Sequence, residues 1–540
     1  MPATSIAVSD PCQVSTNKFP QCEWTVMVYM AGDNNLSEDM ISQIYAITEG
    51  LETGIKFPTH PTDNNNVAFL VQYDGSHPTV PTYRIDLTYD PAATQNPMGH
   101  PEKLAFGCDL KKTEDKIKDF IIWSAARRPA KKYALVISGH SDGFQGRSLL
   151  LDEDPQSVTT LAELATAIKD GVSAAGLPQG KLDIIGFDSC VMSTIEVVYE
   201  FKDCAKIWIA SQGSVPNYTW NYLGIARELI KMKAAQLTGD TIARLVVKQV
   251  KEYNLRYAFQ GRSIDICAGD LTKIQGIRSA ITSCWPEVIS LANCSLERAA
   301  RHLLMAHWYS QTFMRDQTVD IWDYCESLIA ELKSVGSGAR LITELEKVKT
   351  AVETYTIQGA FTGGDYRFSK GVSIFLPWSH LALIMTKTPY RKLKFYTDGY
   401  EGFLWYLYIA IHLSILCRPR RFPNISDLID FVTSILNILS VTGGKKTIGM
   451  TLSSLVKINH ISEFRPVLNF ILNGLVSGRI KLNKVQRLDI DLAIEILIDN
   501  LLGGGQYRDN PPRTKDGESY SDYFGRTKNF FPMLETSGDY

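Results

Sequence analysis

Short runs of apolar residues, rich in β-branched side chains, recur along most of the chain and are separated by longer polar or helical stretches. Most of these runs are continuously apolar rather than alternating, which is typical of strands covered on both faces of a sheet. The predicted strands are residues 24–30, 67–73, 133–138, 182–187, 206–210 and 371–376. Strands joined by stretches long enough to hold a helix indicate an α/β domain with a mostly parallel central sheet.

Two segments between these strands show the 3.6-residue repeat of an amphipathic helix. The first begins after Thr160, which together with Glu163 fits a capping box. The second follows Cys190, and we expect it to begin near Val191. The apolar stripes are Leu161, Leu164, Ala165, Ile168 and Val172 in the first segment and Val191, Met192, Ile195, Val198 and Tyr199 in the second. Both stripes predict helices that pack against the sheet.

The composition is that of an ordinary globular protein, with 45% hydrophobic and 21% charged residues. A chain of 540 residues exceeds one usual core, so we expect roughly two to four domains. The 56 basic and 58 acidic side chains leave a net charge of −2, which gives no general attraction to nucleic acid or to an anionic membrane. The longest apolar run, residues 402–417, is shorter than the roughly 20 residues of a membrane span and is interpreted as a buried helix.

Neither the cysteines nor the N-terminus indicates an exported, disulfide-bonded protein. The ten cysteines lie far apart and form no CxxC pair, which argues against a zinc site and against a dense disulfide framework. Residues 1–23 lack a basic region followed by an apolar one, so no secretory signal is visible. We therefore predict a cytoplasmic location, with export left open.

The composition and the hydrophobic pattern of the sequence change near residue 418. Residues 418–423 are a basic, proline-containing linker, and helical segments follow it. Residues 506–540 are polar and contain prolines, which is typical of a mobile tail. The predicted organisation is an N-terminal tail (1–23), an α/β domain (24–417), a small helical C-terminal extension (418–505) and the mobile tail (506–540). Residues 418–540 are the predicted contact region for any protein partner.

Two predicted strand ends carry side chains suited to covalent catalysis. His140 follows the strand at 133–138, and Cys190 follows the strand at 182–187. A strand-helix-strand unit would place them side by side, at the sheet edge where α/β proteins bind ligands. A cysteine nucleophile needs an imidazole to accept its proton, and a helix N-terminus behind it would lower the thiol pKa. The backbone N–H groups of Cys190 and of Ser141 to Gly143 are candidate donors to an oxyanion.

The same residues also have a plain structural interpretation. A cysteine in an apolar α/β core is usually inert, and a histidine at a strand end is more often a hydrogen-bonded structural residue than a base. Catalysis is favoured by the coincidence of the two strand ends, in the right order, with a helix start behind the thiol. The pattern alone leaves the two interpretations evenly balanced.

Longer stretches of the sequence resemble the clostripain-type cysteine peptidases. The similar segments are WTVMVYMAGDNNL (24–36), the GH turn (139–140), KLDIIGFDSCVMSTIEVVYE (181–200), IASQGSVPNYTWNY (209–222), TVDIWDYCESL (318–328), GVSIFLP (371–377) and YTDGYEGFLWYLY (396–408). They are colinear across residues 24–408, so the resemblance covers the predicted α/β domain. It implies a cysteine endopeptidase with a caspase-like fold, an α/β/α sandwich with a mostly parallel central sheet.

Position by position, the resemblance assigns the nucleophile to Cys190, the general base to His140 and the acid at the floor of the S1 pocket to Asp188. A carboxylate there would pair with Arg or Lys at P1, the substrate residue before the cleaved bond. The other interpretation of Asp188 is a cap on the following helix.

The chain departs from the family pattern at two places. Ser141 stands where a glycine usually follows the histidine, although its backbone N–H still suits an oxyanion hole. Gln212 and Gly213 stand where the family tends to have an acidic residue. The second departure bears on the preference for a basic P1 residue rather than on peptidase activity.

The resemblance also implies two further predictions, which concern self-cleavage and cation binding. Some members mature by cutting the loop after the histidine strand, and Arg147 is the one basic residue between His140 and Thr160. Some members use calcium, and Asp33, Asn34 and Asn35 follow the first strand at the catalytic edge. The favoured interpretation of these three is an Asx-rich turn that leads into a helix through Ser37. No cofactor is expected to be required, and calcium stays open.

Two other functions compete with a peptidase. A catalytically silent caspase-like module could bind peptides or partners through its C-terminal extension, but such a module typically loses its histidine or cysteine. A flavodoxin-like or nucleotide-binding protein is disfavoured because neither GxGxxG nor GxxxxGK[ST] follows any predicted strand.

Overall fold

The computed structural model describes residues 21–56, 66–75, 82–88, 101–103, 112–145, 149–150, 152–153, 156–258, 260–294, 296–313, 317–377, 389–399, 405, 409 and 537–539. The described residues form two compact units. The first unit holds those up to residue 275 together with 352–374 and 537–539, and the second holds the rest. The predicted C-terminal extension (418–505), Arg147 and most of the apolar run at 402–417 lie outside the described residues.

The strands and helices agree with most of the predicted positions. The strands are β1 (Cys22–Gly32), β2 (Val67–Gly75), β3 (Tyr83–Asp86), β4 (Pro101–Lys103), β5 (Ala130–Ser138), β6 (Asp152–Glu153), β7 (Gln156–Ser157), β8 (Leu182–Asp188), β9 (Ala205–Ala210), β10 (Ile264–Asp270), β11 (Thr312–Phe313), β12 (Thr318–Asp320), β13 (Thr356–Thr362), β14 (Ser373–Phe375) and β15 (Ser537–Asp539). The helices are α1 (Ser37–Lys56), α2 (Thr113–Arg127), α3 (Leu161–Ala174), α4 (Ile195–Glu200), α5 (Tyr222–Lys231), α6 (Gly239–Ala258), α7 (Ile274–Cys294), α8 (Leu296–Tyr309), α9 (Ile321–Ser334), α10 (Ala339–Tyr355) and α11 (Lys394–Thr397).

The large sheet lies in the first unit and has the strand order β15-β13-β10-β9-β8-β5-β1-β2-β3-β4. Its centre, from β9 to β2, is parallel, and the strands added at both edges are antiparallel. Strand β1 is flanked by β2 on one side and β5 on the other, so the chain order reverses there. Ligands of α/β proteins gather at the carboxyl ends of strands beside such a reversal.

Helices cover both faces of this sheet. On one face, the even-numbered residues of β1 from Trp24 to Met30 share a buried core with α1, α5 and α6. On the other face, Tyr29 of β1 meets Phe120 of α2 with ring centroids 6.4 Å apart, and α3 packs on α2. Helix α3 carries the predicted capping box between Thr160 and Glu163. The predicted α/β sandwich with a mostly parallel central sheet is confirmed.

Three predictions about elements differ from the structure. The helix expected near Val191 begins at Ile195. Strand β14, predicted as 371–376, is not one of the strands of the large sheet. Residues Ser537–Asp539, inside the predicted mobile tail, instead form an antiparallel edge strand beside β13. The remaining predicted domain boundaries stay predictions.

The second unit is mainly helical in its described part. Helix α8 packs against α9, and Asp320 caps α9 by accepting a hydrogen bond from the N–H of Asp323. The His302 ring lies 3.0 Å from the Glu331 carboxylate, between the same two helices. Among all the described helices, none has the length and apolar character needed to cross a membrane.

Candidate active site

Three neighbouring strands end together at one edge of the sheet. The register pairs Met30 of β1 with Ser138 of β5, and Ser138 with Asp188 of β8. Beyond these paired positions, the N–H of Gly139 donates to the carbonyl of Asp188 at 3.3 Å. His140 and Cys190 therefore follow at equivalent places on adjacent strands, as the strand-helix-strand prediction required.

Cys190 lies on a tight turn rather than at a helix N-terminus. Val191 has φ of 57°, a left-handed conformation that is costly for a β-branched residue. The turn is held because Val191 N–H donates to the Gly213 carbonyl at 2.9 Å and Ser193 N–H donates to the Ser211 carbonyl at 2.9 Å. Helix α4 starts five residues after Cys190. The prediction that a helix dipole acts on the thiol is therefore wrong, because dipole effects fade within the first turn.

The surroundings of the Cys190 thiol keep it protonated at rest. Burial raises its pKa and the nearby Asp188 carboxylate adds to the rise, while a backbone hydrogen bond from Val215 opposes both. That bond runs from Val215 N–H to Sγ at 3.2 Å. The expectation that the fold lowers the thiol pKa is therefore wrong, because burial outweighs the single N–H donor. A nucleophilic Cys190 needs a base to take its proton.

His140 and the residue after it contact the loop that follows β1 and the turn that carries Cys190. Its Nε2 lies 2.6 Å from Oδ1 of Asn35, in the loop that follows β1. Its carbonyl accepts a hydrogen bond from Leu150 N–H at 3.0 Å. The next residue, Ser141, contacts Met192 beyond the nucleophile turn through an Oγ–Sδ distance of 2.9 Å. The loops that carry the predicted base and nucleophile are thus in direct contact.

Two of the predicted oxyanion donors are available. Within the described residues, the backbone N–H groups of Ser141 and Cys190 make no hydrogen bond. The N–H of Gly143 instead donates to Ser141 Oγ at 3.0 Å, so it drops out of the predicted set. Preorganised N–H groups without partners are what a developing oxyanion requires.

Asp188 is the last residue of β8, two positions before Cys190, and does not cap a helix. Its Oδ2 accepts hydrogen bonds from Ser138 Oγ at 3.2 Å and from Tyr222 OH at 3.1 Å. Burial raises its pKa to about 6 although both hydroxyl donors lower it. Within the described residues no cation faces this carboxylate, and Oδ1 makes no hydrogen bond. The capping interpretation is therefore wrong, because both donors to this carboxylate are side-chain hydroxyl groups.

The segment that contacts the nucleophile turn is anchored by a carboxylate that sequence reasoning missed. Asp265 of β10 is fully buried and accepts hydrogen bonds from the N–H groups of Gln212 and Gly213, both at 2.9 Å. The Gln212 side chain is buried as well and accepts from Gly371 N–H at 3.0 Å. A Cβ on Gly213 would lie 2.4 Å from the Tyr366 ring. Any side chain at position 213 would therefore clash with the Tyr366 ring.

The buried Asp265 carboxylate gives stability a measurable pH dependence. Burial raises its pKa from 3.8 to about 6, so the folded protein binds this proton more tightly than the unfolded chain does. The free energy of unfolding should therefore fall by about 3 kcal/mol as the pH rises from about 4 to about 6. Asp265→Asn removes that slope. In urea denaturation, the free energy of unfolding of the variant should therefore rise by about 3 kcal/mol relative to that of wild type between pH 4 and pH 7. The surface variant Asp170→Asn is the control, and a pH-independent difference for Asp265→Asn would count against this role.

The loop after β1 has the Asx-turn structure favoured from sequence. Asn34 donates from Nδ2 to the Ala31 carbonyl at 3.0 Å and accepts from Leu36 N–H at 2.9 Å. Asp33 is buried, whereas Asn35 is exposed and contacts His140. In the part of the chain that the structure describes, no group of three or more His, Cys, Asp or Glu side chains is arranged to hold a metal ion. Calcium binding at this loop therefore stays an open prediction.

Comparison with solved structures gives distant likenesses. An inactive zymogen C11 protease from Parabacteroides distasonis is 19% identical, with 71% of this chain and 99% of that chain covered and a TM-score of 0.49. A secreted C11 cysteine protease from Bacteroides thetaiotaomicron, bound to an irreversible peptide inhibitor, is 16% identical, with 71% and 99% covered and a TM-score of 0.48.

Comparison with protein families gives the decisive match. No curated protein matches the chain. The sequence profile of the clostripain family, peptidase family C11, matches residues 28–406. This range contains every residue of the site described above. The chain therefore belongs to the clostripain family of cysteine peptidases.

Proposed function

We propose that the protein is a cysteine endopeptidase in which His140 and Cys190 form the catalytic dyad and Asp188 selects a basic P1 residue. The observation that carries the proposal is the position of these three residues at the ends of adjacent strands, with Ser138 paired to Asp188 in the sheet. His140 takes the proton of the Cys190 thiol, and the thiolate attacks the scissile carbonyl. The imidazolium then donates its proton to the leaving amine, and a water molecule hydrolyses the acyl-enzyme.

The surroundings support each step of this reaction. The N–H groups of Ser141 and Cys190 make no hydrogen bond within the described residues, which supports a role as donors to the oxyanion of the tetrahedral intermediate. The Val215 N–H, 3.2 Å from Sγ, stabilises the thiolate once it forms. The raised pKa of Cys190 makes the thiolate dependent on His140. The enzyme thus generates its nucleophile only when the imidazole is neutral and in place.

The preference for Arg or Lys at P1 is supported by Asp188 alone. Its carboxylate is desolvated, held by two hydroxyl donors and not paired with a cation among the described residues. A buried carboxylate in this state gains most from a guanidinium or ammonium group. Gln212 offers no second charge, because its amide is neutral and its Oε1 accepts a hydrogen bond from Gly371 N–H.

The proposal is tested with fluorogenic peptides that carry Arg, Lys, Asp or a neutral residue at P1. Wild type should cleave the Arg and Lys substrates, and Cys190→Ala should cleave none. The alternative, a silent module that binds peptides through residues 418–540, predicts that wild type and Cys190→Ala behave alike on every substrate. A cytoplasmic location and a partner at residues 418–540 remain proposals from the sequence.

Self-cleavage after Arg147 is expected to convert the single chain into two fragments that stay together. Strands β5 and β8 lie on opposite sides of that bond and pair with each other in the sheet, so a cut leaves their hydrogen bonds in place. N-terminal sequencing of wild type should find a new terminus at Ser148, while Arg147→Ala and Cys190→Ala stay intact. An active wild-type preparation that remains one uncut chain over long incubation would refute this step.

A further inference from the structure

The loop that follows β1 brings an amide to the imidazole of His140. Oδ1 of Asn35 lies 2.6 Å from Nε2 of His140, a short hydrogen bond between residues 105 positions apart. Asn35 is exposed and His140 is half-buried, so the contact lies at the rim of the site. An amide oxygen only accepts hydrogen bonds, so Nε2 carries the proton in this arrangement.

The loop that carries Asn35 is built to hold one conformation. The neighbouring Asn34 is buried and bridges the Ala31 carbonyl and the Leu36 N–H through its side chain. The backbone N–H of Ser37 donates to the Asn34 carbonyl at 3.2 Å, where α1 begins. The Asn35 amide is therefore presented by a rigid turn between a central strand and a helix, which favours a positioning role over an incidental surface contact.

The consequence for the dyad is a fixed tautomer. With the proton on Nε2, the lone pair of the neutral ring is on Nδ1, so in the proposed dyad Nδ1 would accept the proton of the Cys190 thiol and return it to the leaving amine. When the ring is charged, the Nε2–H to Oδ1 bond persists and stabilises the imidazolium. A base that is oriented by a third group is the arrangement expected of an activated nucleophile.

We propose that Asn35 is a positioning residue that sets the tautomer and orientation of His140. The inference rests on the proposed function, since it assigns Asn35 a role in that same reaction. It predicts that loss of the amide lowers kcat while KM is unchanged, because the ring loses its orientation and substrate contacts are untouched.

The test uses Asn35→Ala and Asn35→Asp in the full chain. Asn35→Ala should lower kcat about 10- to 100-fold with KM unchanged. Asn35→Asp places a carboxylate against Nε2–H and should move the acid limb of the kcat/KM profile upward by about one pH unit or more. Among the described residues, the charged groups at these strand ends include Asp33 of the same loop, Asp74 of β2, Asp142 and Asp188, and every variant keeps them.

The rate at which iodoacetamide alkylates Cys190 distinguishes a positioning role of Asn35 from a purely structural role. In a His140→Ala background, adding Asn35→Ala should leave that rate unchanged, since the amide acts only through the imidazole. The inference is overturned if Asn35→Ala keeps the wild-type kcat, or if the acid limb of Asn35→Asp stays in place or moves down. These outcomes leave the proposed function standing when His140→Ala is inactive, whereas an active His140→Ala refutes the proposed function itself.

Discussion

Replacing Cys190 with alanine should reduce kcat/KM for peptide hydrolysis by about 10⁴-fold or more, to the detection limit of the assay. Without the thiol, His140 has no proton to accept and no acyl-enzyme forms. The fold should be retained, because Sγ is held only by the backbone of Val215 and the turn is fixed by backbone bonds from Val191 and Ser193. Steady-state kinetics on an Arg-P1 substrate measure the loss.

The matched control is Cys204→Ala. Cys204 is another buried cysteine, with its Sγ 3.5 Å from the Ala165 carbonyl oxygen. It lies at the opposite end of the strands, just before β9. This variant should keep turnover close to wild type. Residual activity in Cys190→Ala, or an equal loss in Cys204→Ala, would show that Cys190 is not the nucleophile.

Asp188→Asn should lower kcat/KM for Arg and Lys substrates by about 100- to 1,000-fold and leave neutral P1 substrates within about threefold of wild type. The amide has nearly the shape of the carboxylate and still accepts from Ser138 or Tyr222, so what is lost is the charge that pairs with the P1 cation. The pKa of about 6 adds a pH signature. Wild-type preference for basic P1 residues should weaken as the pH falls below about 6, because the carboxyl then becomes neutral.

The control for Asp188→Asn is Asp183→Asn in the same strand. Asp183 lies near the other end of β8 and pairs with Lys206, its Oδ1 being 2.6 Å from Nζ. This substitution should not change the ratio of Arg to neutral P1 cleavage. A uniform loss across all P1 residues in Asp188→Asn would assign Asp188 to the support of the nucleophile turn instead of to specificity.

The central sheet could be predicted because its parallel strands are continuous apolar runs. The strands β1, β2, β5, β8 and β9 all appear in the sequence as such runs. Strands β10 and β13 were missed because IDICAGD and TIQGAFT interrupt their apolar residues with polar side chains and glycine. In β10 the interrupting residue is Asp265, which has a structural reason to be buried: it binds the backbone of Gln212 and Gly213.

The positions of the predicted site residues in the fold could be inferred from the sequence, but their hydrogen-bond partners and pKa shifts could not. His140, Cys190 and Asp188 follow strands that sequence periodicity identifies, so their place at one edge was predictable. The start of α4 was not, because Val191 and Met192 fit a helical stripe, yet Val191 takes a left-handed conformation held by Gly213. The partners of Asp188 and His140, namely Tyr222 and Asn35, come from distant segments, and no local pattern pairs them.

The assignment of Cys190 as nucleophile and His140 as its base is tested most directly by labelling the active site with an irreversible, arginine-containing peptide electrophile and locating the adduct by mass spectrometry. One adduct is expected, on Cys190, and it should form rapidly in wild type at neutral pH and much more slowly in His140→Ala. An adduct on any other cysteine, or equal labelling rates in wild type and His140→Ala, would contradict it.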